Sequence, residues 1–421
     1  MGGGSAMWQN WADNQTSQIR PKRPTTTEEL LQLIASAETL RPVGAGHSFT
    51  PLVPGAQHII DLTALDLPAV TQIEGERAWV NANARLRDLS PALAEHGMAF
   101  RNLGDINVQT LAGAAATATH GTGRTLPCLS AEITAARLIG ADGQTLTTAD
   151  IPLNMVQVSL GLLGIVTEAQ INVVPQYNLR RRVRLSDLRG TLERMHQHWD
   201  ENRNFEFFYI PFTGKTVEIR HDITDAPETR APRDLDMIAV KVLKLARNAG
   251  RLSPGLRRAL LRLLTLAQSD EDHVGESWRV LCSERHIRFK EMEYHLPPEN
   301  ARDVLSELIR RLERDHAYIY FPIEVRQTAG DDACLSPFQG GPRVSVAIHT
   351  DAKEGHLRYF EAMEPMFLQA GGRPHWGKLH SLTYSDLSRL YPDFDAFCAL
   401  REKLDPKGKF LTPALARMFR P

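Results

Sequence analysis

The chain has 421 residues, 42% of them hydrophobic and 24% charged, and 49 Lys+Arg against 50 Asp+Glu give a net charge of −1. That length predicts two or three domains of soluble globular type, and the balanced charge argues against nucleic acid as a partner. Cys128, Cys282, Cys334 and Cys398 show no C-x-x-C spacing, and no apolar run approaches the ~18–20 residues that span a bilayer, so no zinc site, disulfide framework or membrane span is expected.

Met1-Gly2-Gly3-Gly4-Ser5 has no charged region ahead of an apolar one and reads as a flexible leader, not a secretory signal. Ala6 stands where myristoylation requires Ser or Thr. With the scattered cysteines, these features lead us to expect a cytoplasmic protein. Pro24 to Glu29 opens a helix, with a Thr cap, acids in the first turn, and then Leu30, Leu31, Leu33 and Ile34. Leu40 to Val43 and His58 to Leu62 read as short strands. Ala78 to Asn83 alternates as another, and Leu86 to His96 has helical spacing at Leu86, Leu89 and Leu93. This order is an α+β pattern, not a repeating βαβ unit. Ile133 to Ile139 is a strand, and Ala141-Asp142-Gly143-Gln144 signals a hairpin turn. Leu160 to Val166 is apolar and marked by glycines; Ile171 to Val174 closes a first domain at Pro175.

The composition then shifts. Arg180-Arg181-Arg182 reads as a solvated strand edge. Phe205 to Ile210 is an aromatic strand. Lys241 to Arg262 carries seven basic residues and no acid, with leucines between. Pro254-Gly255 breaks that run, which favours a solvated helical face or an oligomer contact over a membrane-surface helix. Phe289 to His295 is a strand, Pro298 opens a helix with Val304, Leu305, Leu308, Ile309 and Leu312 on its core face, and Tyr318 to Gln327 and Val344 to Ile348 are strands. The alternation predicts a sheet with helices on one face. Asp393 to Leu404 is a helix ended by Pro406 and Gly408.

Two stretches carry the chemistry. In Val43-Gly44-Ala45-Gly46-His47-Ser48-Phe49-Thr50 the glycines permit a sharp turn and close backbone approach, and exposed N–H groups in such a turn suit phosphate. Phe49 stands where a G-x-G-x-x-G dinucleotide fingerprint needs its third glycine, so a nicotinamide site is not expected. The second stretch runs from Asn102 through Gly104, Asp105 and Thr110 into the small-residue run Ala112 to Gly123, which lets a flat ligand lie against backbone.

Together GAGHSF and QTLAGAAATATHGTG resemble the FAD-binding domain of the vanillyl-alcohol-oxidase superfamily, and within it the aldonolactone oxidase branch (sugar-1,4-lactone oxidases), with alditol oxidases as near relatives. A C-terminal motif also matches, so the resemblance covers nearly the whole chain. It implies an α+β, two-domain FAD-binding fold of the vanillyl-alcohol-oxidase type with an α+β substrate (cap) domain. The expected boundaries are 1–175 for the FAD domain, 176–372 for the cap and 373–421 for a segment returning to the FAD domain. The resemblance also implies FAD attached covalently to His47 through the flavin 8α-methyl carbon. The flavin contacts it places are Val43, Gly44, Ala45, Gly46, His47, Ser48, Gly104, Asp105, Thr110, Gly113, Ala114, Thr117, Thr119, His120, Gly121, Gly164, Ile165, His375 and Lys378.

On a strand, Glu324 and Arg326 project from one face, opposite Ile319, Phe321, Ile323 and Val325. By residue pattern alone they form an intrastrand ion pair; the resemblance sets a Glu-x-Arg pair over the flavin, where Glu324 takes substrate hydroxyls and Arg326 binds oxygen or reduced flavin. Lys378, in His-Trp-Gly-Lys, is a third catalytic candidate and His349 a substrate-side one. No metal is expected.

The resemblance thus implies oxidation of a sugar-derived carbinol, preferably an aldono-1,4-lactone such as L-gulono- or D-arabinono-1,4-lactone at C2. The tail Arg401 to Pro406 with Gly408, Phe410 and Leu411 favours the lactone branch; an alditol oxidase or a lactone dehydrogenase is the alternative. Gly104 matches the position that carries Gly in the branch's oxidases and Ala in its dehydrogenases, which implies O2 as acceptor and H2O2 as product. On its own, Gly104 could equally supply a positive φ before Asp105. Partners are expected to be the sugar lactone or polyol and O2, without membrane contact.

Overall fold

The computed structural model describes residues 7–232, 236–267 and 269–421; the expected leader, Met1 to Ala6, lies outside the described residues. Near the start, Thr26 caps the helix Thr27–Ser36 by accepting from the Glu29 N–H, and Leu30 and Ile34 are buried beneath it. The strand Leu40–Val43 pairs in parallel with His58–Asp61 and delivers the glycine turn. A five-stranded antiparallel sheet follows, in the order Val70–Glu74, Arg77–Asn81, Ile165–Asn172, Ile133–Ile139, Thr145–Thr147. The expected Asp-Gly turn joins Ile133–Ile139 to Thr145–Thr147, with Gly143 at φ 83°. The edge strand Val70–Glu74 escaped sequence reading because only Val70 and Ile73 in it are apolar.

A larger antiparallel sheet has eight strands, in the order Glu271–Glu276, Asn178–Asp187, Lys215–Thr224, Asn204–Ile210, Ile323–Thr328, Arg343–Asp351, Phe289–Leu296, Arg373–Pro374. Successive side chains on a strand point to opposite faces, so each strand divides its residues. Phe205, Phe207, Met292, Tyr294, Ile323, Val325, Val344, Val346 and Ile348 enter one apolar core, against the helices Leu188–Glu201, Pro298–Asp315 and Leu357–Gln369. The expected helical core face, Val304, Leu305, Leu308, Ile309 and Leu312, lies in it. Truncating fully buried Leu308 to Ala would cost about 2–5 kcal/mol. The other face carries Glu206, Glu291, Glu293, Glu324, Arg326 and His349, and most of these line a cavity that the glycine turn also borders at His47 and Ser48.

Two expectations change. The strand holding Glu324 starts at Ile323, not Tyr318, because residues 316–322 form a turn, with the Ile319 N–H on the His316 carbonyl. Ile319, Ile323 and Val325 share the sheet's core as expected, whereas Phe321 joins a separate cluster with Ile210, Leu243 and Leu261. The Arg180–Arg182 run is not at an edge. Its strand pairs on both sides, and each arginine meets an acid on a neighbour: Arg180 with Asp272 at 2.7 Å, Arg181 with Glu271 at 2.5 Å, and Arg182 with Asp222. Opposite charges across a ladder stabilise pairing, so a basic run belongs inside a sheet whose neighbours are acidic.

Candidate active site

The C-terminal segment returns to the glycine turn. The Phe49 N–H donates to the Gly377 carbonyl at 2.7 Å, and Thr50 Oγ1 donates to the Trp376 carbonyl at 3.0 Å. Two cavities meet at this junction and share His47, Ser48, Gln109 and Thr117.

The larger cavity, about 1210 Å³, is walled by Val43 to Ser48, Thr110 to Gly113, Ala115 to Thr117 and Ser159 to Gly161, with Gly164, Ile165 and Val166. A Cβ on Gly44 would overlap Thr110 Oγ1, so this wall is as thin as the backbone permits, and Gly46 sits at φ 68°. Among the described residues no acidic side chain lines this cavity, and none of them accepts from the N–H groups of Ala45, Gly46, His47 and Ser48. Arg41, buried behind the turn, donates to the carbonyls of Gly161 at 3.2 Å, Phe410 at 3.1 Å and Leu160. Unspent donors, one buried cation and no acid fit a diphosphate, and the alanine- and glycine-rich walls fit flat rings.

The smaller cavity, about 740 Å³, is densely charged. Asp105, Glu291, Glu293, Glu324, Arg285, Arg326, Lys378, His120, His349 and His375 line it. Arg326 is its hub. Its Nε donates to Glu206 at 2.8 Å, its Nη2 reaches Asp105, and the same nitrogen touches Glu324 without a well-directed hydrogen bond. Arg285 holds Asp105 from the other side at 2.6 Å. Burial pushes the Glu324 carboxyl well above the usual range, more than Arg326 pulls it down. Burial also raises Asp105, but Arg326 and Arg285 together outweigh it and leave that carboxyl below its ordinary value. Lys378 pairs with Glu291. His349 Nδ1 lies 3.1 Å from the Pro322 carbonyl and so carries the hydrogen; its Nε2 is the free acceptor, 3.7 Å from Glu291 and 3.9 Å from Glu324. Burial lowers the pKa of His349 and keeps the ring neutral.

Behind these lies a buried histidine cluster. His120 faces the Gly121 carbonyl with one ring nitrogen and Glu293 with the other, both at 2.8 Å. His295 and His375 pack their rings against His120 at 5.1 and 5.8 Å. His375 Nδ1 accepts the Gly377 N–H at 2.9 Å, and burial lowers its pKa to about 3.

His47 stands between the cavities and makes no hydrogen bond among the described residues. Its ring stacks on Trp11 at 5.3 Å and 22°. Burial, with Lys378 and Arg85 adding repulsion, lowers its pKa to about 4. The Trp11 N–H donates to the Gly46 carbonyl at 2.8 Å, and Asn10 and Asn14 hold the carbonyls of Ser48 and Phe49 at 2.9 Å each. The N-terminal segment is therefore a strap across the turn.

Most of the residues singled out from sequence meet here. Ala114 and Gly121 do not line either cavity. Ala114 is fully buried toward Leu86 and Leu89, and Gly121 is packed so tightly that a Cβ would overlap the Leu103 carbonyl. Gly104 lines the smaller cavity and is not among the positive-φ glycines, so the conformational reason for it fails. Its constraint is space: a Cβ would lie 3.0 Å from the His120 carbonyl and 3.4 Å from Thr119 Cγ2. Sequence reasoning missed Trp11, Arg41, Glu206, Arg285, Glu291 and Glu293. Glu291 and Glu293 share one face of a strand that was read correctly, but their alternation alone does not tell a site from a solvated face. Arg285, in an irregular stretch, carried no signal.

The D-arabinono-1,4-lactone oxidase family model matches residues 169–418, and the FAD binding domain model matches residues 21–149. The L-gulono-1,4-lactone dehydrogenase of Mycobacterium tuberculosis is 35% identical over 99% of this chain and 100% of its own. The L-gulonolactone oxidase of Bos taurus is 29% identical over 98% of each chain, and the alditol oxidase of a Streptomyces species is 28% identical over 95% of this chain and 96% of its own. Among solved structures, cholesterol oxidase from Brevibacterium sterolicum superposes with a TM-score of 0.82 at 18% identity, covering 98% of this chain and 96% of that one, which shows a shared fold.

Proposed function

The chain belongs to the D-arabinono-1,4-lactone oxidase family, and from that premise we propose that it oxidises a sugar-derived aldono-1,4-lactone, such as L-gulono- or D-arabinono-1,4-lactone, at C2 with FAD as cofactor and dioxygen as acceptor. One observation carries the reading: an acid-free cavity with unspent N–H donors opens, at His47, into a cavity lined with carboxylates, cations and histidines. The first suits FAD and the second a small polyhydroxylated substrate. Residues 1–175 with 373–421 form the FAD part and 176–372 the cap; the hydrogen bonds from Phe49 and Thr50 to the returning segment support that division.

FAD supplies the redox chemistry, accepting a hydride from the substrate carbon when bound. The chain does the rest. The N–H groups of Ala45 to Ser48 and the Arg41 charge hold the diphosphate, and the small residues from Ala112 to Thr117 admit the rings. Neutral His47, free of hydrogen bonds and oriented by Trp11, offers a nucleophilic nitrogen for the covalent link. Arg326 and Lys378 are fixed cations where negative charge develops during hydride transfer. Glu324, whose carboxyl burial holds well above its ordinary value, is placed to donate to a substrate oxygen. His349 Nε2 accepts the proton of the reacting hydroxyl, with Glu291 beside it to stabilise the charged ring.

Gly104 supports dioxygen as acceptor, because it keeps the cavity floor beside His120 and Thr119 free of a methyl group. The name of the Mycobacterium relative favours a second reading, a dehydrogenase that hands electrons to another acceptor. Adding aldono-1,4-lactones and polyols in air, with flavin bleaching and peroxide both followed, tests the proposal. Bleaching by a lactone with stoichiometric peroxide is expected. Bleaching by polyols alone points to an alditol oxidase, bleaching without peroxide to a dehydrogenase, and no bleaching by any carbinol refutes the reading.

A further inference from the structure

The helices Asp236–Gly250 and Pro254–Ala267 form a hairpin on the outer wall of the cap. Its inner face is well anchored. Leu243, Ala246 and Leu261 pack on Ile210, Tyr320 and Phe321; Lys244 pairs with Asp351 at 2.5 Å, and Arg247 pairs with Glu354 at 2.9 Å. Arg257 caps the Ala317 carbonyl at 3.0 Å and lies over the Phe212 ring. The outer face is different. Ile238, Leu245, Leu252, Leu256, Leu263 and Leu266 are between 48% and 87% exposed, and the described surface elsewhere exposes only Met7, Ile223 and Leu357 among large hydrophobics. Ile238 and Leu245 stand seven residues apart on the first helix, as do Leu256 and Leu263 on the second, and Leu252 carries the spacing into the turn between them, so each helix presents an outward apolar stripe. Lys241, Arg251, Arg258 and Arg262 flank these stripes, exposed and with no acidic partner among the described residues. Residues 237–268 contain no Asp or Glu.

From this juxtaposition of exposed leucines and unpaired cations on one face, we infer that the hairpin docks the protein on an anionic lipid surface. A clustered apolar face on a water-soluble chain marks an interaction site. A second copy of this chain is the poorer occupant: a twofold contact sets the same patch against itself and brings unpaired cations against unpaired cations. An anionic bilayer meets both features at once, since leucines enter the acyl boundary while Lys and Arg reach the headgroups. The break at Ser253–Pro254 does not weaken this surface, as the sequence alone suggested; it folds two amphipathic helices side by side and puts Leu252 and Leu256 at the tip.

Flotation of the full-length protein with vesicles of phosphatidylcholine, with and without phosphatidylglycerol, tests the inference. Binding to the anionic vesicles, reversed by salt, is expected. Arg251→Gln, Arg258→Gln and Arg262→Gln together should weaken it by about a hundredfold, at about fivefold (~1 kcal/mol) per cation. Leu252→Asp, Leu256→Asp and Leu263→Asp together should abolish it, with the melting temperature and circular dichroism of both variants unchanged because none of these residues reaches a core or a cavity. Native protein that stays behind with anionic vesicles would overturn the inference. So would equal binding to neutral vesicles, or a solution dimer that the aspartates split.

Discussion

Arg326→Ala is the most demanding test of the charge arrangement. The guanidinium is 9% exposed and holds Asp105, Glu206 and Glu324 at once. Arg285 still serves Asp105 after its removal, but Glu206 and Glu324 lose their shared cation. Removing one partner from a buried pair typically costs about 3–5 kcal/mol, against a total stability of about 5–15 kcal/mol for a domain, so the loss should be plain in urea unfolding. Arg326→Lys should recover only part of it, because a single ammonium cannot span three carboxylates. The sign with pH is fixed. Burial already raises Glu206 and Glu324, and without Arg326 they rise further. The folded variant then binds more protons than the unfolded chain, so its stability falls as pH rises through those raised values and returns as pH drops toward about 4.3, the usual Glu value. The deficit relative to wild type should therefore shrink on acidification. A destabilisation under about 1 kcal/mol, or a deficit that grows as pH falls, would refute the network as the structure draws it.

Acid precipitation should leave flavin on the wild-type polypeptide and release it from His47→Ala; because the pKa of His47 sits near 4, the attachment rate should show no titration near 6.5. Lys378→Met should slow flavin reduction by about 10²–10³ in stopped flow rather than only raise KM, whereas a change confined to KM would make Lys378 a binding residue alone. Gly104→Ala should slow reoxidation by dioxygen while substrate reduction stays near normal, and equal reoxidation rates would dismiss Gly104 as a guard of the oxygen path.

The elements of the fold were legible where local chemistry decides them. Thr26 caps its helix, Asp142-Gly143 turns its hairpin, and the period of Val304 to Leu312 names a core face. Parity gave the Glu324 and Arg326 face correctly even though the strand began five residues late. Parity does not say what a polar face looks at. Glu291 and Glu293 alternate as regularly as Glu324 and Arg326, yet on sequence they are indistinguishable from a wet strand. What makes them part of a site is the Gly377 segment, hydrogen-bonded through His375 N–H to the Glu293 carbonyl and through Leu379 N–H to that of Glu291. That contact joins residues more than eighty positions apart. The same holds for Trp11 over His47 and for Arg285 on Asp105: both are long-range pairings between irregular segments, for which no periodicity exists.

Charge balance leads to the last prediction, on what the smaller cavity admits. His120 faces Glu293 at 2.8 Å, so that pair offers no cation without an acid beside it. Burial holds the Glu324 carboxyl well above its ordinary value. Asp105, Glu206 and Glu291 then answer Arg285, Arg326 and Lys378 one for one. With every cation already engaged, the cavity has hydrogen-bond capacity but no spare positive charge. A neutral lactone suits it. The open-chain aldonate left by hydrolysis of the same ring adds a carboxylate that must either displace an internal carboxylate or stay unpaired, at a cost of several kcal/mol, about a hundredfold or more in affinity. Competition between a lactone and its aldonate, read as inhibition of flavin reduction at neutral pH, measures this directly. An aldonate that binds within about threefold of its lactone would mean that one of the three cations is free, and the two more exposed of them, Arg285 and Lys378, are where the counting would have failed.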